Sequence, residues 1–169
     1  VLAEPGEPIR YVYFPHTAVI CLMAVMEESG ITETATVGPE GVVGFEVLLG
    51  LDKALNRELV QVAGSASRIG VHELAGAMRE SAHLRALMLR YVGAFLMQVT
   101  QSVACNSLHK LEERCARWLL MAHDRAGRSS FNLTQEFLAE MLGVHRTTVT
   151  IVARNLQAAG FIRYSRGLL

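Results

Sequence analysis

The chain has 169 residues, 51% of them hydrophobic and 19% charged, with 16 basic and 16 acidic side chains, which excludes a disordered chain and allows one large or two small domains with buried cores. Its three cysteines, Cys21, Cys105 and Cys115, are odd in number and far apart, with no C-x-x-C pair. They argue against a disulfide framework, a zinc site or an iron–sulfur cluster and fit a reducing cytoplasm.

The charge is unevenly distributed. Residues 1–109 carry 7 basic and 11 acidic side chains, and residues 110–169 carry 9 and 5. No acid follows Glu140, whereas Arg146, Arg154, Arg163 and Arg166 all do. A segment that offers guanidiniums and repels no phosphate is the electrostatic footprint of a nucleic-acid reader, although a basic face by itself is more often only solvated.

In chain order, residues 1–80 read as β structure. Tyr11–Phe14, Ala18–Met26, Leu59–Ala63 and Ala66–Val71 are short apolar runs separated by turn signals such as Gly38-Pro39-Glu40-Gly41. The longest run, Ala18–Met26, is far too short to span a bilayer. Ile31–Val37 alternates apolar residues with threonines and is expected to pair back on Ala18–Met26 as a hairpin. The pattern predicts a small barrel or jelly roll.

From Ser81 the period changes to that of a helix. Ser81 can cap a helix of about 25 residues, roughly 38 Å long, running to about Ser107. The near-heptad series Leu84, Met88, Tyr91, Phe95, Gln98, Ser102 suits packing against a second copy of the chain, or against the chain's own β domain. Val92, Ala94, Leu96 and Met97 lie off that stripe, and so broad an apolar surface favours burial on two sides. Residues 81–108 are thus expected to form a dimerisation helix. A second helix, Leu111–His123, and a polar turn, Asp124–Ser130, open a further domain over residues 109–169.

In that domain Phe131–Leu133 reads as a short strand and Thr134 as an N-cap. Gln135–Leu142 and His145–Ala159 read as two helices joined at Gly143. Counted from Gln135, a small residue is needed at the fifth position, where the helices cross, and glycine at the ninth, where φ must be positive. Branched apolar residues are needed at the fifteenth and eighteenth. Ala139, Gly143, Val149 and Val152 meet all four needs, which makes a helix-turn-helix. Gly160 ends the second helix, Phe161–Tyr164 reads as a strand and Ser165-Arg166-Gly167 as the turn of a wing whose return strand begins at Leu168. The return strand has barely begun, so the full protein is expected to continue beyond Leu169.

In such a unit the outer face of the second helix enters the major groove. His145, Arg146, Thr147, Thr150, Ile151 and Arg154 are the candidate base-facing residues, with Arg146 the natural bidentate reader of guanine. Thr134, Gln135 and Thr148 are better placed for phosphates, and Arg163 and Arg166 can reach the backbone from the wing.

This order of parts resembles the catabolite activator/Fnr (Crp/Fnr) superfamily, most specifically in the stretch Leu133–Gly167, and earlier in IRYVYFPHTAVICLMAVMEESG and VGPEGVVGF. The resemblance implies an α+β protein: a cyclic-nucleotide-binding-like β roll, a long dimerisation helix and a C-terminal winged helix-turn-helix. It implies a homodimeric transcription regulator that reads a pseudo-palindrome in double-stranded DNA, with RNA polymerase and a small-molecule effector as further partners and no membrane. It also implies that an initial helix and strand precede Val1. Members that bind cyclic AMP show F-G-E-x-(small)-L and then R-(S/T)-A. Here the stretch is Val43-Gly44-Phe45-Glu46-Val47-Leu48, and Arg57 is followed by Glu58, whose charge would repel a phosphate. Glu46, Arg57 and Thr100 are the candidate effector-binding residues; a cyclic nucleotide is not expected, and no cofactor or metal is implied. In the second helix Arg146 matches the family's guanine-reading arginine, while Thr147 and Ile151 replace its common glutamate and second arginine, so a different operator is expected.

A reading of another class remains open, a ligand-sensing module that signals through protein–protein contacts. Nothing supports an enzyme: there are no paired carboxylates, nucleophile–base pair or phosphate-cradling glycine loop.

Overall fold

The computed structural model describes all residues except 27, 29, 128, 129, 131 and 165–169. Among the described residues, five strands form two antiparallel sheets: β1 (Tyr11–Pro15) pairs with β5 (Ala66–Gly70), and β2 (Val19–Met26) lies between β3 (Gly30–Val37) and β4 (Arg57–Val62). The expected hairpin is there, with Ile20 opposite Val37 and Val25 opposite Ile31. Over Val19–Met23 the unbroken apolar run of β2 has a physical cause: both of its faces are covered. Ile20 and Leu22 point into the roll with Val37, Val43 and Phe45, while Cys21 and Met23 join a second core with Cys115, Trp118 and Leu119.

One expectation is corrected within the first eighty residues. Val71–Glu80 is a helix, α1, beginning where Val71 was expected to end a strand. Val71, Leu74 and Met78 recur at helical steps and pack on Val12, Ile69 and Met88. Phe45–Leu49 is a short 3₁₀ helix between glycines in the left-handed conformation.

Helix α2 spans Ala82–Leu108, and the Ser81 hydroxyl accepts from the Leu84 amide as its cap. Of the two partners the near-heptad series suits, a second copy or the chain's own β domain, it packs on the latter. Tyr91 and Phe95 enter the roll, the Gln98 amide donates to the Thr36 carbonyl, and Ser102 accepts from Arg117. A different seam faces outward. Ala86, Leu89, Gly93, Leu96, Thr100, Val103 and Ser107 alternate at steps of three and four, and all are exposed. Spacing of 3.5 residues keeps such a row on one side of a helix.

Helix α3 spans Leu111–Ala126, three residues longer than the spacing predicts, and closes on Gly127 in the left-handed conformation. α4 (Gln135–Leu142) and α5 (Arg146–Ala158) follow. These three helices share one core with the outer face of β2. Cys115, Trp118, Leu119, Leu138, Leu142, Val149 and Val152 pack with Cys21 and Met23, and with the partly buried Ile31 and Leu59. Polar contacts tie the same layers. The Trp118 indole donates to Glu33 (3.0 Å), as does the Thr36 hydroxyl (2.8 Å). The Arg125 guanidinium donates to Glu40 and to Gln98 (both 2.6 Å).

Burial pushes the Glu33 carboxyl up to about 7, against the pull of its two donors and of Arg125 and Arg117. A carboxyl raised on folding binds its proton more tightly in the folded state. Its contribution is therefore complete below the ordinary glutamate range and is lost as pH rises through about 7. Glu33→Gln is expected to flatten the fall in stability between pH 5.5 and pH 8 by about 1–2 kcal/mol, read from urea unfolding at the two values. An unchanged slope would place the titration elsewhere.

Candidate nucleic-acid interface

The helix-turn-helix is built by the α4–α5 pair. The Thr134 hydroxyl caps α4 by accepting from the Phe137 amide (3.1 Å). Gly143 then turns the chain at φ 64°, a left-handed conformation in which a side chain would be strained. A Cβ there would also lie 3.0 Å from the Thr32 hydroxyl of β3. Leu138, Ala139, Leu142, Val149 and Val152 are buried as their spacing predicts. His145 is the N-cap of α5 rather than its first residue, and it makes no side-chain cap.

With Val149 and Val152 turned inward, the opposite face of α5 is free. Arg146, Thr150, Arg154, Thr147 and Ile151 fall within one arc of about 140° at 100° per residue. Arg146, Thr147, Ile151 and Arg154 are exposed there and Thr150 is half-buried. His145, Thr148 and Thr134 are exposed outside that arc, and Gln135 is half-buried. Two contacts hold this face to the start of α4: Arg146 Nη1 donates to Glu136 Oε1 (2.9 Å), and the Thr150 hydroxyl donates to Gln135 Oε1 (2.7 Å). The Arg146–Glu136 pair is well exposed on both sides. Pairs of that kind are worth about 0.2–1 kcal/mol and yield readily to a stronger partner. Glu136 escapes a scan for acids after Glu140; only the fold brings it to Arg146.

Phe161–Tyr164 is not a strand. The Phe161 amide donates to the Leu156 carbonyl in the cap of α5, and the Tyr164 hydroxyl donates to the Leu133 carbonyl (2.8 Å). Capping thus draws the segment back over the helices. Arg163 is exposed on it. Arg166, the wing turn and Leu168-Leu169 lie outside the described residues, as does Phe131 of the short strand expected before Thr134.

The three candidate effector residues do not meet. Leu22 pairs with Glu58 and Met23 with Arg57, so strand alternation turns Glu58 into the roll with Leu22 and turns Arg57 outward. Arg57 there pairs with Glu4 (2.8 Å). Glu46 is fully buried. Thr100 lies on the exposed seam of α2, its hydroxyl donating to the Leu96 carbonyl. Between Phe45 and the middle of α2 the space is filled by aromatic rings. The Phe45 and Phe95 centroids are 4.4 Å apart, with Tyr91 edge-on to Phe45 at 6.2 Å. Two inward acids, with no buried arginine among the described residues, do not fit a cyclic nucleotide. The second acid, Glu58, reads from the sequence only as a neighbour repelling phosphate at Arg57; its inward direction comes from register.

Residues 113–169 match the Crp-like helix-turn-helix domain. No curated protein matches the chain in sequence. Among solved structures it is similar to TTHB099, a CRP-family transcriptional regulator of Thermus thermophilus, at 18% identity and a TM-score of 0.80 over 99% of this chain and 85% of that one. It is also similar to FixK2 of Bradyrhizobium japonicum (18% identity, TM-score 0.82, 97% and 83% covered). A third is TTHA1359, a CRP/FNR-family regulator, also of Thermus thermophilus (23% identity, TM-score 0.72, 99% and 87% covered). Residues 113–169 are thus a Crp-like helix-turn-helix domain, carried on a chain with the fold of the CRP/FNR transcription regulators.

Proposed function

We propose that the chain is a homodimeric, sequence-specific transcription regulator acting on double-stranded DNA in the cytoplasm. The carrying observation is the exposed arc of α5, Arg146, Thr147, Thr150, Ile151 and Arg154, opposite a fully packed inner face. Arg146 reads guanine. Thr134, Gln135, His145, Thr148, Arg163 and Arg166 serve phosphates or flanking bases. Helix α2 carries the dimer along Leu89, Leu96 and Val103, with the small residues Ala86 and Gly93 between them allowing close approach. A two-fold dimer sets its recognition helices about 34 Å apart, one turn of DNA, and so calls for a pseudo-palindrome. A signal in the roll reaches the head through β2, whose two faces belong to the two cores, and through the Arg125 bridge from Glu40 to Gln98.

Two measurements test this. Affinity for a duplex from the protein's own promoter region is expected to fall steeply with salt, since phosphate binding releases counterions. The double substitution Leu96→Glu, Val103→Glu places like charges along the seam and is expected to yield monomers in sedimentation, with promoter affinity reduced at least tenfold. Salt-independent binding would favour the interaction-module reading, and a dimer that survives both glutamates would move the interface off α2.

A further inference from the structure

The first turn of α4 touches the exposed arc of α5 at two adjacent positions. Gln135 Oε1 accepts from the Thr150 hydroxyl and Glu136 Oε1 accepts from Arg146 Nη1, so neighbours on one helix hold residues one turn apart on the next. The second contact is out of keeping with its surroundings. Helices that approach DNA offer cations or neutral donors to its phosphates, and no acid follows Glu140 in this domain. Glu136 nevertheless places a carboxylate 2.9 Å from the guanidinium of Arg146. An acid in the first turn favours its own helix through the dipole, but that role needs no arginine. The arginine's geometry points further. Its bond to Glu136 uses Nη1 and leaves the edge formed by Nε and Nη2 without a partner among the described residues. That edge carries two parallel N–H groups, the arrangement that fits O6 and N7 of guanine.

We propose that Glu136 is a positioning residue that sets sequence specificity: it holds Arg146 by Nη1, so that the Nε–Nη2 edge meets guanine, and its charge keeps that arginine from settling on phosphate. A phosphate carries a full negative charge and a guanine edge only partial ones. An acid beside the guanidinium therefore penalises the first partner far more than the second. The pair also restricts a long, exposed side chain before DNA arrives, which lowers the ordering cost of the base contact. Random duplex, bound chiefly through its phosphates, is disfavoured relative to the operator.

This role rests on the DNA-binding reading above, so the natural chain is measured beside its variants and the two can fail separately. The full chain, Glu136→Ala and Glu136→Gln are titrated into promoter and scrambled duplexes over a range of salt, with the thermal midpoint of each protein recorded alongside. Loss of the charge is expected to tighten the scrambled duplex about threefold in both variants and to steepen its log–log salt slope by up to about one unit. Preference for the promoter is expected to fall about tenfold in Glu136→Ala, part of the discrimination that a bidentate pair supplies. Glu136→Gln keeps a neutral oxygen for Nη1, and its preference is expected to fall only about threefold, the share due to charge. In an Arg146→Ala background, Glu136→Ala is expected to lower the preference no further, because Glu136 acts through Arg146. A helix-dipole role alone would move the thermal midpoints and leave the preference untouched. An unchanged preference in Glu136→Ala, an equal fall in the glutamine and alanine variants, or a further fall in the double variant would each overturn the positioning role alone. A natural chain that binds both duplexes equally would overturn the sequence-specific reading and this role with it.

Discussion

Replacing Trp118 with alanine is expected to destabilise the protein by about 3–5 kcal/mol, the range for removing a large aromatic side chain from a core. The residue is 6% exposed and sits where α3 meets the outer face of β2, among Cys21, Met23, Leu138 and Val149. It is the chain's single tryptophan and its indole bonds Glu33. Its loss therefore opens a cavity and strips a buried carboxyl of a donor at the same point. Because this core joins the roll to the helical head, the cost falls on the junction. Urea unfolding followed by circular dichroism is expected to separate into two transitions in Trp118→Ala, against one in the natural chain. Trp118→Phe keeps most of the apolar contact and loses only the hydrogen bond, so a smaller cost of about 1–2 kcal/mol is expected. A single transition shifted by less than about 1 kcal/mol in the alanine variant, far below the usual cost of such a truncation, would mean that the two parts are not coupled through this core.

Arg146→Ala is expected to lower affinity for the specific operator about 10–100-fold, from the loss of about 1–3 kcal/mol of bidentate guanine readout. Affinity for random duplex is expected to change much less, because phosphate contacts supply most of it. The substitution also frees Glu136 from its 2.9 Å pair, leaving an unpaired carboxylate beside the exposed arc of α5. Arg146→Lys separates charge from geometry: a lysine keeps the charge without the fork, and is expected to retain non-specific binding while recovering little discrimination. Gel shifts of the three proteins on promoter and scrambled duplexes read both quantities. Equal losses on the two duplexes would make Arg146 a phosphate contact rather than a base reader.

The seam of α2 shows why part of the architecture was legible and part was not. The helix itself, its Ser81 cap and its apolar surface on two sides follow from local spacing. Which stripe faces which partner does not, because the two series are both apolar at heptad-like steps. Only the position of the roll, with Phe45 waiting for Tyr91 and Phe95, assigns Leu84, Met88 and Phe95 inward and leaves Leu89, Leu96 and Val103 outside. Helix α1 escapes the sequence for a related reason. Val71 is β-branched and follows a genuine strand, and ten residues of helical spacing are outweighed locally by the run before them.

The helix-turn-helix scaffold was determined by the sequence alone. Thr134, Ala139, Gly143, Val149 and Val152 each meet a requirement within about twenty residues, where capping, a positive φ and a helix crossing are short-range demands. What only the tertiary structure decided involves partners far apart in the chain: Trp118 on Glu33, Arg125 on Glu40, and Glu58 turned into the roll while Arg57 turns out. Strand register sets the direction of a side chain, and a shift of one residue exchanges the two faces. The acidic chemistry inside the roll thus depended on a pairing between Leu22 and Glu58 that no local pattern specifies.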